Sequence, residues 1–125
     1  MYIREVINSD MIAEINAASR SIVCLDVPWS GYPKTALAYL LKAVEHLQEI
    51  GIEVAAFKLD EESDLCQQWL ATLGLPEPYA GNAKYFQGWG AMFWLEAGRV
   101  VDMVHRGDEF RTVGIIQRTK KLWSS

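Results

Sequence analysis

Apolar positions along the chain switch between two rhythms, short near-continuous runs and stripes that recur every three or four residues, and the switches mark out alternating strands and helices. Tyr2 to Ile7 reads as a short strand. Met11, Ile12, Ile15 and Ala18 then recur at helical spacing behind Ser9, which is placed to cap the helix. Ser21 to Val27 is an apolar run broken only by Asp26, the pattern of a central strand covered on both faces. From Pro33 to Ile50 a stripe of Leu37, Leu40, Leu41, Val44 and Leu47 predicts a long helix, with Lys34, Lys42, Glu45 and Glu49 mostly off the stripe and Gly51 suited to its C-terminal cap. Ile52 to Leu59 is a second buried strand. Ser63 opens a helix carrying Leu65, Trp69, Leu70 and Leu73, which Gly74 and Pro76 end. Ala91 to Glu96 and Arg99 to His105 flank Ala97-Gly98 as a hairpin. A last helix from about Asp108 to Trp123 places Asp108 and Glu109 at its positive end and Arg118, Lys120 and Lys121 at its negative end.

Composition narrows the functional classes. A chain of 125 residues, 50% hydrophobic and 22% charged, is expected to form one domain with a substantial core. Its net charge of −4 and lack of a basic stripe argue against nucleic acid. The opening segment Met1-Tyr2-Ile3-Arg4-Glu5-Val6-Ile7 mixes charges and has no long apolar core, so no signal peptide or membrane span is expected and the cytoplasm is the default compartment. Cys24 and Cys66 are too far apart in sequence for a CxxC or metal-ligand spacing, and no metal or cofactor is implied.

The chemistry-bearing stretch is Trp29-Ser30-Gly31-Tyr32-Pro33-Lys34, between the first buried strand and the long helix. With Ile22-Val23-Cys24-Leu25-Asp26-Val27-Pro28 before it and Gly88-Trp89-Gly90-Ala91-Met92-Phe93-Trp94-Leu95-Glu96-Ala97-Gly98-Arg99-Val100 later, the chain resembles the thioredoxin family. The likeness runs over nearly the whole length. It implies a thioredoxin-like α/β fold, a central mixed β-sheet flanked by helices on both faces, over residues 1–125. It also implies that Ser30 and Pro33 stand where the family places its two cysteines, Gly90 at the family's cis-proline and Cys24 at its buried acid. A serine hydroxyl is barely ionised near neutral pH and proline offers no nucleophile, so dithiol exchange is expected to be absent.

The other departure is an aromatic-rich insertion at 75–90, longer than the roughly 12–15 residues beyond which loops are uncommon and tend to be functional or disordered. Tyr79, Tyr85, Phe86 and Trp89 are residue types that disordered segments lack. They either pack on their own domain or join Trp29 and Tyr32 in a patch over the vacated site. The resulting expectation is a redox-inactive binding module. Trp29, Ser30, Gly31, Tyr32, Pro33, Trp89 and Gly90 form its face, Tyr79, Tyr85 and Phe86 its interaction loop, and the partner is a protein or a second copy. The alternative is a thiol-dependent enzyme. Cys66, near a helix start whose dipole lowers thiol pKa, would serve as a monothiol, or Ser30 would hold a glutathione-type thiolate as in glutathione transferases, which share the fold. Against that role, Ser30 read as a helix cap satisfies a free amide and needs no ligand. His46 and His105 read as solvated side chains, and Asp60-Glu61-Glu62-Ser63-Asp64 as an acidic run that favours a helix dipole.

Overall fold

A computed structural model describes residues 3–124. Its elements follow in the order β1 (Ile3–Val6), α1 (Ser9–Ala17), β2 (Ser21–Asp26), α2 (Tyr32–Glu49), β3 (Ala55–Asp60), α3 (Asp64–Thr72), β4 (Met92–Glu96), β5 (Arg99–Val104) and α4 (Arg111–Trp123), with 3-10 turns at Ala83–Phe86 and Gly107–Glu109. The five strands form one mixed sheet in the order β1-β3-β2-β4-β5. β1, β3 and β2 run parallel, while β4 is antiparallel to β2 and β5 to β4. This is the predicted thioredoxin-like α/β arrangement. Among the described residues no helix is long and apolar enough to cross a membrane.

The period-two geometry of the central strands divides the core. Val23 and Leu25 of β2, Phe57 and Leu59 of β3, and Phe93 and Leu95 of β4 face one side, where Ile15 of α1 and Cys66, Trp69 and Leu70 of α3 cover them. Ile22 and Cys24, Ala56, and Met92 and Trp94 face the other, against Ala36, Leu40, Ala43 and Val44 of α2 and Ile115 and Trp123 of α4. The buried Trp94 indole donates to Thr119 Oγ1 at 2.9 Å, and that hydroxyl donates to the Ile115 carbonyl at 2.8 Å, whereas the buried Trp123 indole N–H has no partner among the described residues.

Several boundaries differ from the pattern. Asn8, not Ser9, caps α1, its side chain accepting from the Met11 N–H at 3.1 Å. β3 starts at Ala55 rather than Ile52, because α2 ends in a Schellman motif that uses the Ile52 N–H on the Leu47 carbonyl, with Gly51 at φ +86°. β1 keeps Ile3 to Val6 of its predicted span, and Tyr2 lies outside the described residues. The last helix begins at Arg111. Asp108 and Glu109 belong to a separate turn, where both pair with Arg106, so they do not serve the helix dipole.

The insertion covers the sheet on the α3 side. Phe86 is fully buried, 5.6 Å centroid to centroid from Phe93, which in turn meets Trp69 edge-on at 5.3 Å. Tyr79 stacks on Phe86 and meets Tyr85 edge-on. Phe86 was expected in an interaction loop, but burial in the core leaves it no surface to offer. Truncating such a ring leaves a cavity costing about 3–5 kcal/mol, so Phe86→Ala is expected to lower the melting temperature sharply in a thermal unfolding experiment. A melt close to wild type would place the loop outside the cooperative core.

Candidate functional site

The turn at 27–31 lies beyond the carboxyl end of β2, on the sheet edge where open α/β folds collect their sites. Trp29, Gly31 and Tyr32 are exposed there, whereas Ser30, Pro33 and Gly90 are buried. Pro33 sits in the first turn of α2, where the missing N–H costs nothing.

Ser30 is committed internally. Its hydroxyl donates to the Gly88 carbonyl at 2.8 Å and accepts from the Tyr32 N–H at 3.3 Å. It satisfies an amide at the helix start as a cap would, although the cap position itself belongs to Gly31. Its one proton is therefore spent on a backbone carbonyl rather than offered to a bound thiolate. Gly88 donates its own N–H to Glu61 Oε2 at 2.8 Å, and its positive φ of +70° brings its α-carbon so near the Trp29 ring that an added Cβ would lie 2.6 Å from it. The insertion is thus tied to the turn and to the end of β3 at one residue. Gly90 has φ +72°, outside the range a proline ring allows, and an added Cβ would meet Pro33 Cα at 3.0 Å.

Both sulfurs are inside the protein. Cys24, in the middle of β2, is fully buried, and burial with the nearby Asp26 charge holds its thiol far above the ordinary range. Cys66 does lie in the first turn of α3, with Ser63 as the cap accepting its N–H at 3.0 Å. Yet burial, with Glu61 and Asp60 adding to it, pushes the Cys66 thiol up to about 12. The expected lowering by the dipole is reversed because desolvation of the anion outweighs it.

The aromatic positions do not merge into one ring cluster. Tyr79, Tyr85, Phe86 and Trp89 surround His105, with centroids 5.0 to 6.0 Å from its ring. His105 is therefore half-buried among rings rather than fully solvated, and its Nε2 is buried without a partner among the described residues. His46 is exposed, as expected. Tyr32 and Trp89 are joined through a residue that sequence reasoning passed over. The Arg106 guanidinium lies 4.8 Å from the Tyr32 ring centroid and 5.5 Å from that of Trp89, held by Asp108 at 3.1 Å. Trp29 takes a separate partner, donating its indole N–H to Glu62 Oε1 at 3.0 Å.

Glu61 was also missed, having been read as one of a solvated acidic run. The Glu61 N–H bonds to the Asp26 carbonyl at 2.9 Å and so carries the strand geometry one residue beyond β3. Two positions after Leu59, it turns its side chain to the same covered face and is only 4% exposed. Counting the strand alternation past its last apolar residue would have found it. Burial, reinforced by Glu62 and Asp60 and opposed by the Gly88 N–H, raises its carboxyl from 4.5 to about 6.

No protein-family model matches the sequence, and no curated protein does. Solved structures match its fold. A poplar thioredoxin h superposes with a TM-score of 0.68 at 13% identity over 100% of this chain and 99% of that one. The oxidised thioredoxin of Plasmodium falciparum gives 0.66 at 14% identity, covering 96% and 97%. Human ERp44 in its zinc-bound form gives 0.68 at 10% identity over 95% of this chain and 30% of that longer one. At these identities the likeness is one of fold, and the fold is that of thioredoxin.

The raised Glu61 carboxyl has a stability consequence of definite sign. The folded state holds this proton more tightly than the unfolded chain does, so the contribution of Glu61 falls as pH rises from 4.5 through about 6. Relative to wild type, Glu61→Gln is expected to gain on the order of 1–2 kcal/mol between about pH 4.5 and pH 7.5 in chemical denaturation. A stability difference independent of pH would show that Glu61 titrates normally.

Proposed function

We propose that this thioredoxin-fold chain is a protein-binding module without dithiol exchange, presenting the turn from Trp29 to Tyr32 as its contact surface. The observation that carries this reading is the state of the sulfurs. Ser30 and Pro33 occupy the turn, and the chain's two cysteines are buried with raised thiol pKa values. Thiol–disulfide exchange needs an accessible thiolate, and burial denies both parts of that requirement.

The surface features favour recognition. Trp29 is 63% and Tyr32 47% exposed, next to the Arg106 guanidinium, and Trp, Tyr and Arg are the residue types enriched at interface hot spots. Trp89 lies half-buried beyond Arg106 and extends the same face. Two unpaired cysteines suit a cytoplasmic setting.

The purified protein is expected to leave insulin disulfides intact in the presence of a dithiol donor, with Cys66→Ser indistinguishable from wild type. Turnover above background that Cys66→Ser abolishes would refute the inactive reading. Because both rings are exposed, Trp29→Ala with Tyr32→Ala should change the free energy of unfolding by no more than about 1 kcal/mol while weakening partner capture or self-association. Light scattering across a concentration series reads the second-copy version directly, and a strict monomer would remove it.

A further inference from the structure

Between the turn and the start of α3 lies a cleft of about 440 Å³ whose wall includes Trp29, Glu61, Glu62, Asp64, Gln67 and Lys84. Its deepest acid is incomplete. Glu61 Oε2 takes the Gly88 N–H, but Oε1 of this 4%-exposed side chain has no hydrogen-bond partner among the described residues. A buried carboxylate oxygen without a donor is costly, and on the cleft wall the carboxylates of Glu61, Glu62 and Asp64 face the one ammonium of Lys84. Glu62 already accepts from the Trp29 indole, the Ser63 hydroxyl is spent on the Asp60 carbonyl and the Cys66 N–H, and the Gln67 carbonyl accepts from Ala83. Lys84, on the far lip, makes no ion pair among the described residues.

We propose that this cleft binds a primary ammonium group on an aliphatic stem, with Glu61 Oε1 as its buried acceptor, Glu62 and Asp64 at the mouth and the Trp29 indole as one wall. Each part of the assignment has a physical reason. The excess of carboxylates selects a cation. Among the described residues no group of three or more His, Cys, Asp or Glu is arranged to hold a metal ion, which leaves an organic cation. With one oxygen of Glu61 already taken, the site offers a single buried acceptor. That suits a compact ammonium with rotatable donors better than a guanidinium fork, which uses two oxygens at once. An exposed indole supplies cation–π attraction and apolar cover for the methylene stem. The source we assign is a lysine side chain of the protein partner, which rests on the binding-module reading; the ammonium site itself does not.

Charge around Glu61 sets how the site answers to pH. Asp60 and Glu62 flank it in its own turn, Asp64 and the Cys66 thiol face it from α3, and Lys84 and the Gly88 N–H approach from the insertion. Burial, with Glu62 and Asp60 adding to it, keeps a proton on Glu61 to higher pH than usual, and a protonated Glu61 loses its charge attraction for an ammonium ion. Binding should therefore weaken on acidification through about 6.

An NMR titration of the full chain tests the proposal, with a capped Gly-Lys-Gly peptide, its Nε-acetylated form and n-pentylammonium as probes. The lysine peptide is expected to move the Trp29 indole and Gly88 amide resonances to saturation, and the acetylated peptide to leave them in place. Glu61→Gln should weaken binding about tenfold or more, as loss of one charge-assisted bond implies. Should Glu61→Gln fold poorly, Glu62→Gln with Asp64→Asn alters only exposed side chains and is expected to weaken binding severalfold. Equal shifts from the acetylated peptide, or full affinity in both variants, would overturn the site. Binding of pentylammonium without the peptide would overturn the lysine source and reassign the site to a free amine. Saturable peptide binding alongside partner capture that ignores Trp29 and Tyr32 would instead refute the binding-module reading and leave the ammonium site standing.

Discussion

Gly88 holds the distinctive part of this molecule together. Its N–H is bound by a carboxylate reaching out from the end of β3 and its carbonyl by a hydroxyl from the turn after β2. The Trp29 ring closes over its α-carbon, so only glycine fits. Three segments distant in sequence thereby meet at one residue, and both buried polar groups of that residue are satisfied by side chains rather than by a sheet ladder. Phe86, two positions earlier, enters the core behind this anchor. The anchor and the ring together explain how a long insertion remains ordered without a strand or a full helix of its own.

Ser30 is instructive in this setting. In the turn after β2 its side chain is a structural connector, and the contact that spends its proton on the Gly88 carbonyl also holds the insertion in place. Cys24 and Cys66 lie in environments where a thiol serves as a small apolar group. Burial decides both cases. An anion on either sulfur would have to be created in a medium that cannot solvate it, and a helix terminus stabilises charge by far less than desolvation costs.

The order of elements and the two-sided core were legible because they rest on periodicity, a property of the sequence itself. β2 reads as buried on both faces because Ile22, Val23, Cys24 and Leu25 run without a polar break, and the structure places alternate members of that run on opposite faces. What escaped the pattern are contacts between segments. Strand alternation separates Glu61 from Glu62 only if the strand is continued past Asp60, and it is the extension of the β2–β3 pairing to Glu61 that buries one and leaves the other in water. Arg106 likewise looks like an ordinary charge until the fold sets it between Tyr32 and Trp89. The terminal helix was overextended for a related reason. Asp108 and Glu109 fit a helix dipole, but the nearer attraction of Arg106 claimed them.

Gly90 carries an implication for how such a chain can change over generations. Its left-handed backbone lies against Pro33 and Ala36, and its carbonyl receives the Gly107 N–H at 3.0 Å, while a Cβ on Gly107 would come within 2.5 Å of that carbonyl. A side chain at Gly90 would meet Pro33 and Ala36 of α2, and one at Gly107 would meet the Gly90 carbonyl, Met92 and Ala36. Placing cysteines at 30 and 33 takes a few nucleotide changes, whereas placing a proline at 90 first requires the backbone there to leave its left-handed φ. A proline at 90 and the present packing therefore exclude each other. Change in this part of the molecule is least costly at the exposed residues of the turn and most costly at the glycines packed behind them.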